Sequence, residues 1–149
     1  MIEYRLASKK DFKGVQKLEN ECFLNPYSSE DLKYEFYKNP INKIVVATDE
    51  GKIVGFIDYL VTFNSATIMQ VAVTEDYRKR GIGTQLLSEM EKFFPQEGED
   101  IVENVTLEVR ESNEKAIALY TKNGYQKVLI KKQYYKDGEN AIYMLKRLH

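Results

Sequence analysis

The sequence predicts an α/β (α+β) chain built on a mixed central sheet of about seven strands with helices on both faces. Three observations carry this. Short apolar segments bounded by turn residues recur along the whole chain. Stretches with apolar residues at helical spacing lie among them. The resulting order, β-α-α-β-β-β-α-β-α-β-β, puts strand–helix–strand units in the middle and antiparallel hairpins at both ends. A length of 149 residues fits one domain with one core, residues 1–149.

Taken in order, Ile2 to Leu6 alternates as a short strand. Ser8 or Asp11 caps a helix running to about Cys22, with Phe12, Val15 and Leu18 on one face. Asn25-Pro26-Tyr27 breaks it. Ser28-Ser29-Glu30-Asp31 opens a second helix to about Lys38, and Asn39-Pro40 stops that one. Lys43 to Thr48 and Lys52 to Val61 are strands joined through Asp49-Glu50-Gly51, a hairpin signal, and Ala66 to Val73 is the next strand. A helix from about Gly81 to Phe94, a loop from Pro95 to Asp100, a strand from Val102 to Arg110 and a helix from Asn113 to Lys122 follow. Asn123-Gly124 is a strong hairpin dipeptide. Here it follows Ala116, Leu119 and Tyr120 at helical spacing, so Gly124 reads as a helix C-terminal cap. Tyr125 to Lys131 and Ala141 to Arg147 are the last strands, separated by a loop from Lys132 to Gly138.

Composition narrows the function. Lys plus Arg number 22 and Asp plus Glu number 23, a balance that argues against a general nucleic-acid binder. The N-terminus has no signal-peptide run, no stretch is long enough to span a bilayer, and the single cysteine, Cys22, cannot form an internal disulfide. The expectations are a cytoplasmic protein, no membrane association, no direct nucleic-acid binding, and Cys22 as a small buried hydrophobe. The one histidine is His149, the last residue of the sequence. Histidine triads, Cys-His pairs and histidine metal sites are therefore not expected, and proton chemistry falls to a carboxylate, a tyrosine, a lysine or water. Eleven tyrosines make such solutions available.

The most informative segment is Arg78-Lys79-Arg80-Gly81-Ile82-Gly83-Thr84, directly after the apolar strand ending Val71-Ala72-Val73. It places three cations and bare backbone N–H groups at a helix N-terminus, where the dipole also favours an anion. With no Cβ at Gly81 and Gly83, phosphate oxygens can approach the backbone closely. A P-loop is excluded because no Gly-x-x-x-x-Gly-Lys-Ser/Thr occurs. A dinucleotide fingerprint fails because Leu86 stands at its third glycine and the segment is mid-chain. Coenzyme A is the remaining reading.

On these residues the chain resembles the GNAT superfamily of N-acetyltransferases, in which Arg/Gln-x-x-Gly-x-Gly/Ala opens the helix that holds the coenzyme A pyrophosphate. The run Leu107-Glu108-Val109-Arg110-x-Ser112-Asn113-x-x-Ala116-Ile117-Ala118-Leu119-Tyr120-x-x-x-Gly124-Tyr125 is similar to one branch, the bacterial ribosomal-protein alanine N-acetyltransferases of the RimI type. So are Lys131-Lys132-Gln133-Tyr134-Tyr135, the following Asp137-Gly138-Glu139-Asn140-Ala141, and Asn25-Pro26-Tyr27-Ser28, with Tyr27 where tryptophan is frequent.

The resemblance implies the GNAT acyl-CoA N-acyltransferase fold, with acetyl-CoA as cosubstrate in a V-shaped gap between two splayed central strands, and no metal. The backbone of Val71, Ala72 and Val73 would bond pantetheine. Arg78, Lys79, Arg80, Gly81, Ile82, Gly83 and Thr84 would hold the pyrophosphate, amides more than side chains. Asn113, otherwise a plain N-cap, would also bond the cofactor.

Glu108 would be the general base, directly or through water. Alternation sets it on the face opposite Val105, Leu107 and Val109, where a carboxylate is costly unless it faces a cleft or an ion pair with Arg110 or a lysine. Tyr120, near the sulfur, would protonate or hydrogen-bond the departing thiolate. Full transfer from tyrosine to a thiolate is uphill by roughly 2 kcal/mol on reference values. Tyr27 and Tyr34 on one side, and Tyr134 and Tyr135 on the other, would wall the acceptor groove.

The acceptor implied is the N-terminal α-amine of a protein, the alanine of a small-subunit ribosomal protein, taken by direct attack. An α-amine suits a modest base: about a tenth is neutral at pH 7, against fewer than about one lysine in a thousand. Lysine side chains, polyamines or other small amines are alternative acceptors. A non-catalytic coenzyme A-binding or partner-binding module is the alternative of another class. A monomer or weak dimer is expected.

Overall fold

The computed structural model describes residues 1–95, 97–98 and 101–148. The expected loop 95–100 and His149 therefore lie partly or wholly outside the described residues. Among the described residues seven strands form one mixed sheet: β1 (Ile2–Leu6), β2 (Asn42–Asp49), β3 (Lys52–Thr62), β4 (Ser65–Val73), β5 (Asn104–Arg110), β6 (Gln126–Lys131) and β7 (Ala141–Arg147). Their order across the sheet is β1-β2-β3-β4-β5-β7-β6. Among the described residues four helices, α1 (Phe12–Cys22), α2 (Ser29–Tyr37), α3 (Ile82–Lys92) and α4 (Glu114–Lys122), complete the expected order. No described helix is long and apolar enough to cross a membrane.

The chain groups into two compact units. The first comprises Met1–Leu60 and Gln70–Phe93. Its β1 and β3 both pair antiparallel with β2, and β2 joins β3 through the turn at Glu50 and Gly51. A 3-10 turn at Lys9–Asp11 leads into α1: Ser8 and Asp11 form a capping box, and Arg5 clamps the Asp11 carboxylate at 2.7 Å. Ser28 caps α2 by accepting from the Asp31 amide at 3.1 Å. Val15, Leu18, Leu32, Ile44, Val46, Phe56 and Ala72 make one apolar cluster beneath α1 and α2. Side chains alternate along a strand, so Val45 and Ala47 of β2, both fully buried, face the other way, where α3 packs. Helices thus cover both faces of β2.

The second unit comprises Val61–Met69 and Phe94–His149. β4 and β5 run parallel through three residue pairs, Ser65↔Asn104 to Thr67↔Thr106, and each strand continues beyond that short ladder. β5 pairs antiparallel with β7 over its whole length, Asn104↔Arg147 to Arg110↔Ala141, and β7 pairs with the edge strand β6. Val105, Leu107, Tyr125, Ala141 and Met144 are buried at the centre of this unit. Gly124, at φ +96°, closes α4: its own amide bonds the Thr121 carbonyl, and the Tyr125 amide bonds that of Tyr120. This is the Schellman arrangement, and it decides the Asn123-Gly124 dipeptide in favour of the cap.

Candidate active site

In the first unit the candidate residues begin at the end of β4. Ala72 is buried, with Val71 and Val73 half-buried on either side. A turn follows in which the Tyr77 hydroxyl donates to Asp49 at 2.7 Å, and the Arg80 guanidinium lies 4.8 Å from the Tyr77 ring centre. That stacking fixes the approach to α3. Arg78 turns back instead. Its Nε donates to the Val73 carbonyl at 2.9 Å, and the Cys22 thiol donates to the same oxygen at 3.7 Å. Cys22 is thus half-buried, beside a guanidinium and packed against the edge of the core cluster. Of the three cations, Arg78 spends its charge-assisted bond on the strand end.

Gly81 takes φ +80° immediately before α3, a backbone conformation that L side chains rarely adopt, and open space surrounds the position where a Cβ would stand. Ile82, buried, anchors the first turn, and the Gln85 amide closes it on the Gly81 carbonyl at 3.0 Å. The amides of Ile82 and Gly83 lie in that first turn and have no carbonyl within the helix to bond. An accessible backbone, amides aimed out of an eleven-residue helix and Arg80 beside them fit a phosphate anion.

In the second unit, Glu108 sits at the middle of β5 opposite Tyr143 of β7. Its Oε1 accepts from the Lys131 ammonium at 2.7 Å, with side-chain exposures of 22% for Glu108 and 37% for Lys131. The ion pair that alternation allows is therefore made with Lys131, at the end of β6, and not with Arg110. Glu108 raises the Lys131 pKa above the ordinary lysine value, chiefly through that hydrogen bond. Arg110 pairs with Asp137 and Glu139 at 2.8 and 2.9 Å, and lies over the Tyr135 ring at 4.1 Å. The Ser112 amide also bonds Glu139. Ser112 and Arg110 together pull the Glu139 pKa down to about 2, so the loop carrying Tyr134 and Tyr135 is braced by ionised groups.

Tyr120 of α4 is buried and packs edge-on against Tyr125, with ring centres 5.7 Å apart. Burial, with the nearby Tyr135 adding to it, pushes its hydroxyl well above the ordinary tyrosine range. Asn113 caps α4, its Oδ1 accepting from the Ala116 amide at 3.1 Å. Tyr134 and Tyr135 meet edge to face at 5.1 Å.

The other two aromatics, Tyr27 and Tyr34, belong to the first unit. Tyr34 is exposed on α2, whereas Tyr27 is half-buried. Sequence reasoning passed over the carboxylates around Tyr27. Glu19 of α1, fully buried, accepts at one oxygen from the Tyr27 amide at 3.0 Å and from Gln70 Nε2 at 2.7 Å. It thereby ties the segment after α1 to β4. Asp58 of β3, 1% exposed, has its pKa pushed up to about 8, first by burial and then by Glu35 and Glu19. Both had a signal in the sequence: Glu19 continues the buried Val15–Leu18 stripe, and Asp58 interrupts an apolar strand.

Residues 12–125 match the model of the Acetyltransferase (GNAT) family. An uncharacterized N-acetyltransferase of Methanocaldococcus jannaschii is 34% identical over 143 residues, 96% of this chain and 90% of its own length. An N-alpha-acetyltransferase of Saccharolobus solfataricus is 36% identical over 115 residues, 69% of this chain and 68% of its own. The crystal structure of the ribosomal-protein-S18-alanine N-acetyltransferase from Escherichia coli aligns with a TM-score of 0.84 at 29% identity, covering 99% of this chain and 94% of that one.

Proposed function

This chain belongs to the acetyltransferase (GNAT) family and is an N-acetyltransferase, and from that premise we propose that it moves an acetyl group from acetyl-CoA to the N-terminal α-amine of a protein, favouring a ribosomal protein that begins with alanine. The observation that carries the reading is Glu108: a strand carboxylate hydrogen-bonded at 2.7 Å to a primary ammonium, the functional group an acceptor brings. The kinship with an enzyme named for S18 alanine supports the choice of acceptor.

In this reading residues 1–149 act as one catalytic domain, as a monomer or weak dimer in the cytoplasm. The amides of Gly81 to Thr84 and the charges of Lys79 and Arg80 hold the donor's diphosphate. Val71 to Val73 offer backbone groups to pantetheine, and Asn113 adds a further contact. Tyr134 and Tyr135 line the path of the acceptor. Glu108 takes the proton of the α-ammonium. The neutral amine attacks the thioester carbonyl, the C–N bond forms, the C–S bond breaks to release the thiolate, and the second proton of the nitrogen passes to solvent water.

Tyr120 stabilises that thiolate as a hydrogen-bond donor. Proton transfer from an ordinary tyrosine is already uphill by roughly 2 kcal/mol, and burial raises the Tyr120 hydroxyl further. The proton stays on oxygen while the hydrogen bond stabilises the developing charge.

The test is a peptide panel with acetyl-CoA, varying the first residue and including N-terminally blocked controls. Thiol release and N-terminal acetylation with alanine-first peptides are expected. Acetylation that persists on blocked peptides would move the acceptor to a lysine side chain and overturn the α-amine assignment.

A further inference from the structure

We propose that Glu108, Tyr134 and Tyr143 form an ammonium subsite, that Lys131 fills it in the resting protein, and that the acceptor's α-ammonium enters by displacing Lys131. The inference rests on the reading of Glu108 as the group that serves the acceptor amine, and it adds the residue that competes for that group.

The geometry is that of a cage. The Lys131 ammonium lies 2.7 Å from Glu108 Oε1, 4.9 Å from the centre of the Tyr143 ring and 5.4 Å from that of Tyr134. Strand register builds it. Glu108 and Tyr143 are direct partners across β5 and β7, while Lys131 ends β6 opposite Ala141, and Tyr134 follows three residues on in the braced loop. One carboxylate and two aromatic faces converging on a cation recognise an ammonium by charge-assisted hydrogen bonding and by the ring quadrupoles.

The occupant is held loosely enough to leave. The pair is partly exposed on both sides, and such pairs contribute little net stability. A lysine ammonium is a point charge on a flexible stem, able to swing to water without breaking a bidentate fork. Lys131 is also held firmly protonated by Glu108 itself, so it keeps the place without acting as a nucleophile. An α-ammonium brings the same three donors with a reference pKa lower by more than about two units. It can surrender its proton where Lys131 does not. The cage thus admits any primary ammonium, and ease of deprotonation selects the one that reacts.

The experiment compares wild type with Lys131→Ala, Lys131→Met and Lys131→Arg. The first readout is binding alone: methylammonium chloride titrated into each protein and followed by NMR of the tyrosine rings. Saturable binding is expected for Lys131→Ala and Lys131→Met. It is expected to be absent in wild type, in Lys131→Arg and in the double variant Lys131→Ala/Glu108→Gln. The second readout is kinetic. With an alanine-first peptide, Lys131→Ala is expected to lower the peptide KM about fivefold, leave the acetyl-CoA KM unchanged and become competitively inhibited by methylammonium. Lys131→Arg, whose guanidinium can hold Glu108 bidentately, is expected to give a peptide KM at or above the wild-type value.

No methylammonium binding to either folded variant would overturn the subsite. So would an unchanged peptide KM accompanied by a kcat loss that arginine restores, which is the pattern of a lysine that only braces Glu108. Failure of wild type to acetylate any free N-terminus would sink the α-amine reading instead, and the methylammonium titration would still decide the cage.

Discussion

Glu108 and Asp58 are both single carboxylates set into apolar strands, and the two regions treat them in opposite ways. Glu108 keeps 22% of its side chain in contact with solvent and faces an ammonium at 2.7 Å. Asp58 is 1% exposed, one of its oxygens has no hydrogen-bond partner among the described residues, and its charged neighbours, Glu35 and Glu19, are acidic. Burial beside like charge favours the neutral form of a carboxyl group. With its pKa at about 8, Asp58 is mostly a protonated acid at neutral pH and is poorly suited to act as a base. Residue type alone therefore does not nominate a catalytic carboxylate; a partner and access to water do.

The sharpest way to break the contrast is Glu108→Gln. It is expected to lower kcat/KM on the order of a hundredfold, most strongly at low pH where the acceptor amine is protonated. Steady-state rates from about pH 6 to about pH 9 check this, and a flat ratio to wild type across that range would remove Glu108 from the proton path. Next, Tyr120→Phe is expected to slow turnover by roughly tenfold to a hundredfold without shifting the acid limb of the profile, because a hydrogen-bond donor is lost and no titrating base is.

The other half of the comparison is read in stability. Asp58 has a folded pKa near 8, above its unfolded value near 4. The folded state therefore binds the extra proton between those limits. Its contribution is fully present below about pH 4 and is lost as pH rises towards about 8, at up to about 1.4 kcal/mol per pH unit. Asp58→Asn is expected to flatten that slope and to raise the melting temperature by several degrees at about pH 8, with little change in kcat. A pH–melting curve identical to wild type would show that Asp58 does not titrate this way.

The smallest effect is expected at Glu19→Gln. Its carbonyl oxygen can still accept from the Tyr27 amide and Gln70, so kcat/KM stays within about twofold of wild type. Glu19→Ala leaves both donors without that acceptor and is expected to cost about 1–3 kcal/mol, measurable by denaturant unfolding.

Much of the architecture was legible because its signals are local. The apolar spacing of Phe12, Val15 and Leu18, the caps at Ser8 and Ser28, and the glycine before α3 each act within a few residues. Element ends shifted where propensity is weak: β5 begins at Asn104 rather than Val102, and α3 ends at Lys92 before its last apolar pair. Glu108 was legible as a candidate because period-two alternation isolates it. Its partner was not, since Lys131 lies 23 residues away and reaches it only through the β5–β7–β6 register. Arg78 shows the same limit: the bond from its Nε to the Val73 carbonyl could not be read from the sequence.

The residues by themselves determined the order of strands and helices, the glycine turn before α3 and a histidine count of one, because backbone sterics, period and composition are properties of the chain read in one dimension. Only the tertiary structure decided which cation meets Glu108, that Glu19 holds the Tyr27 amide, and that Asp58 is driven towards neutrality. Pairing and desolvation depend on distances between groups far apart in sequence, and those exist only once the sheet has registered its strands.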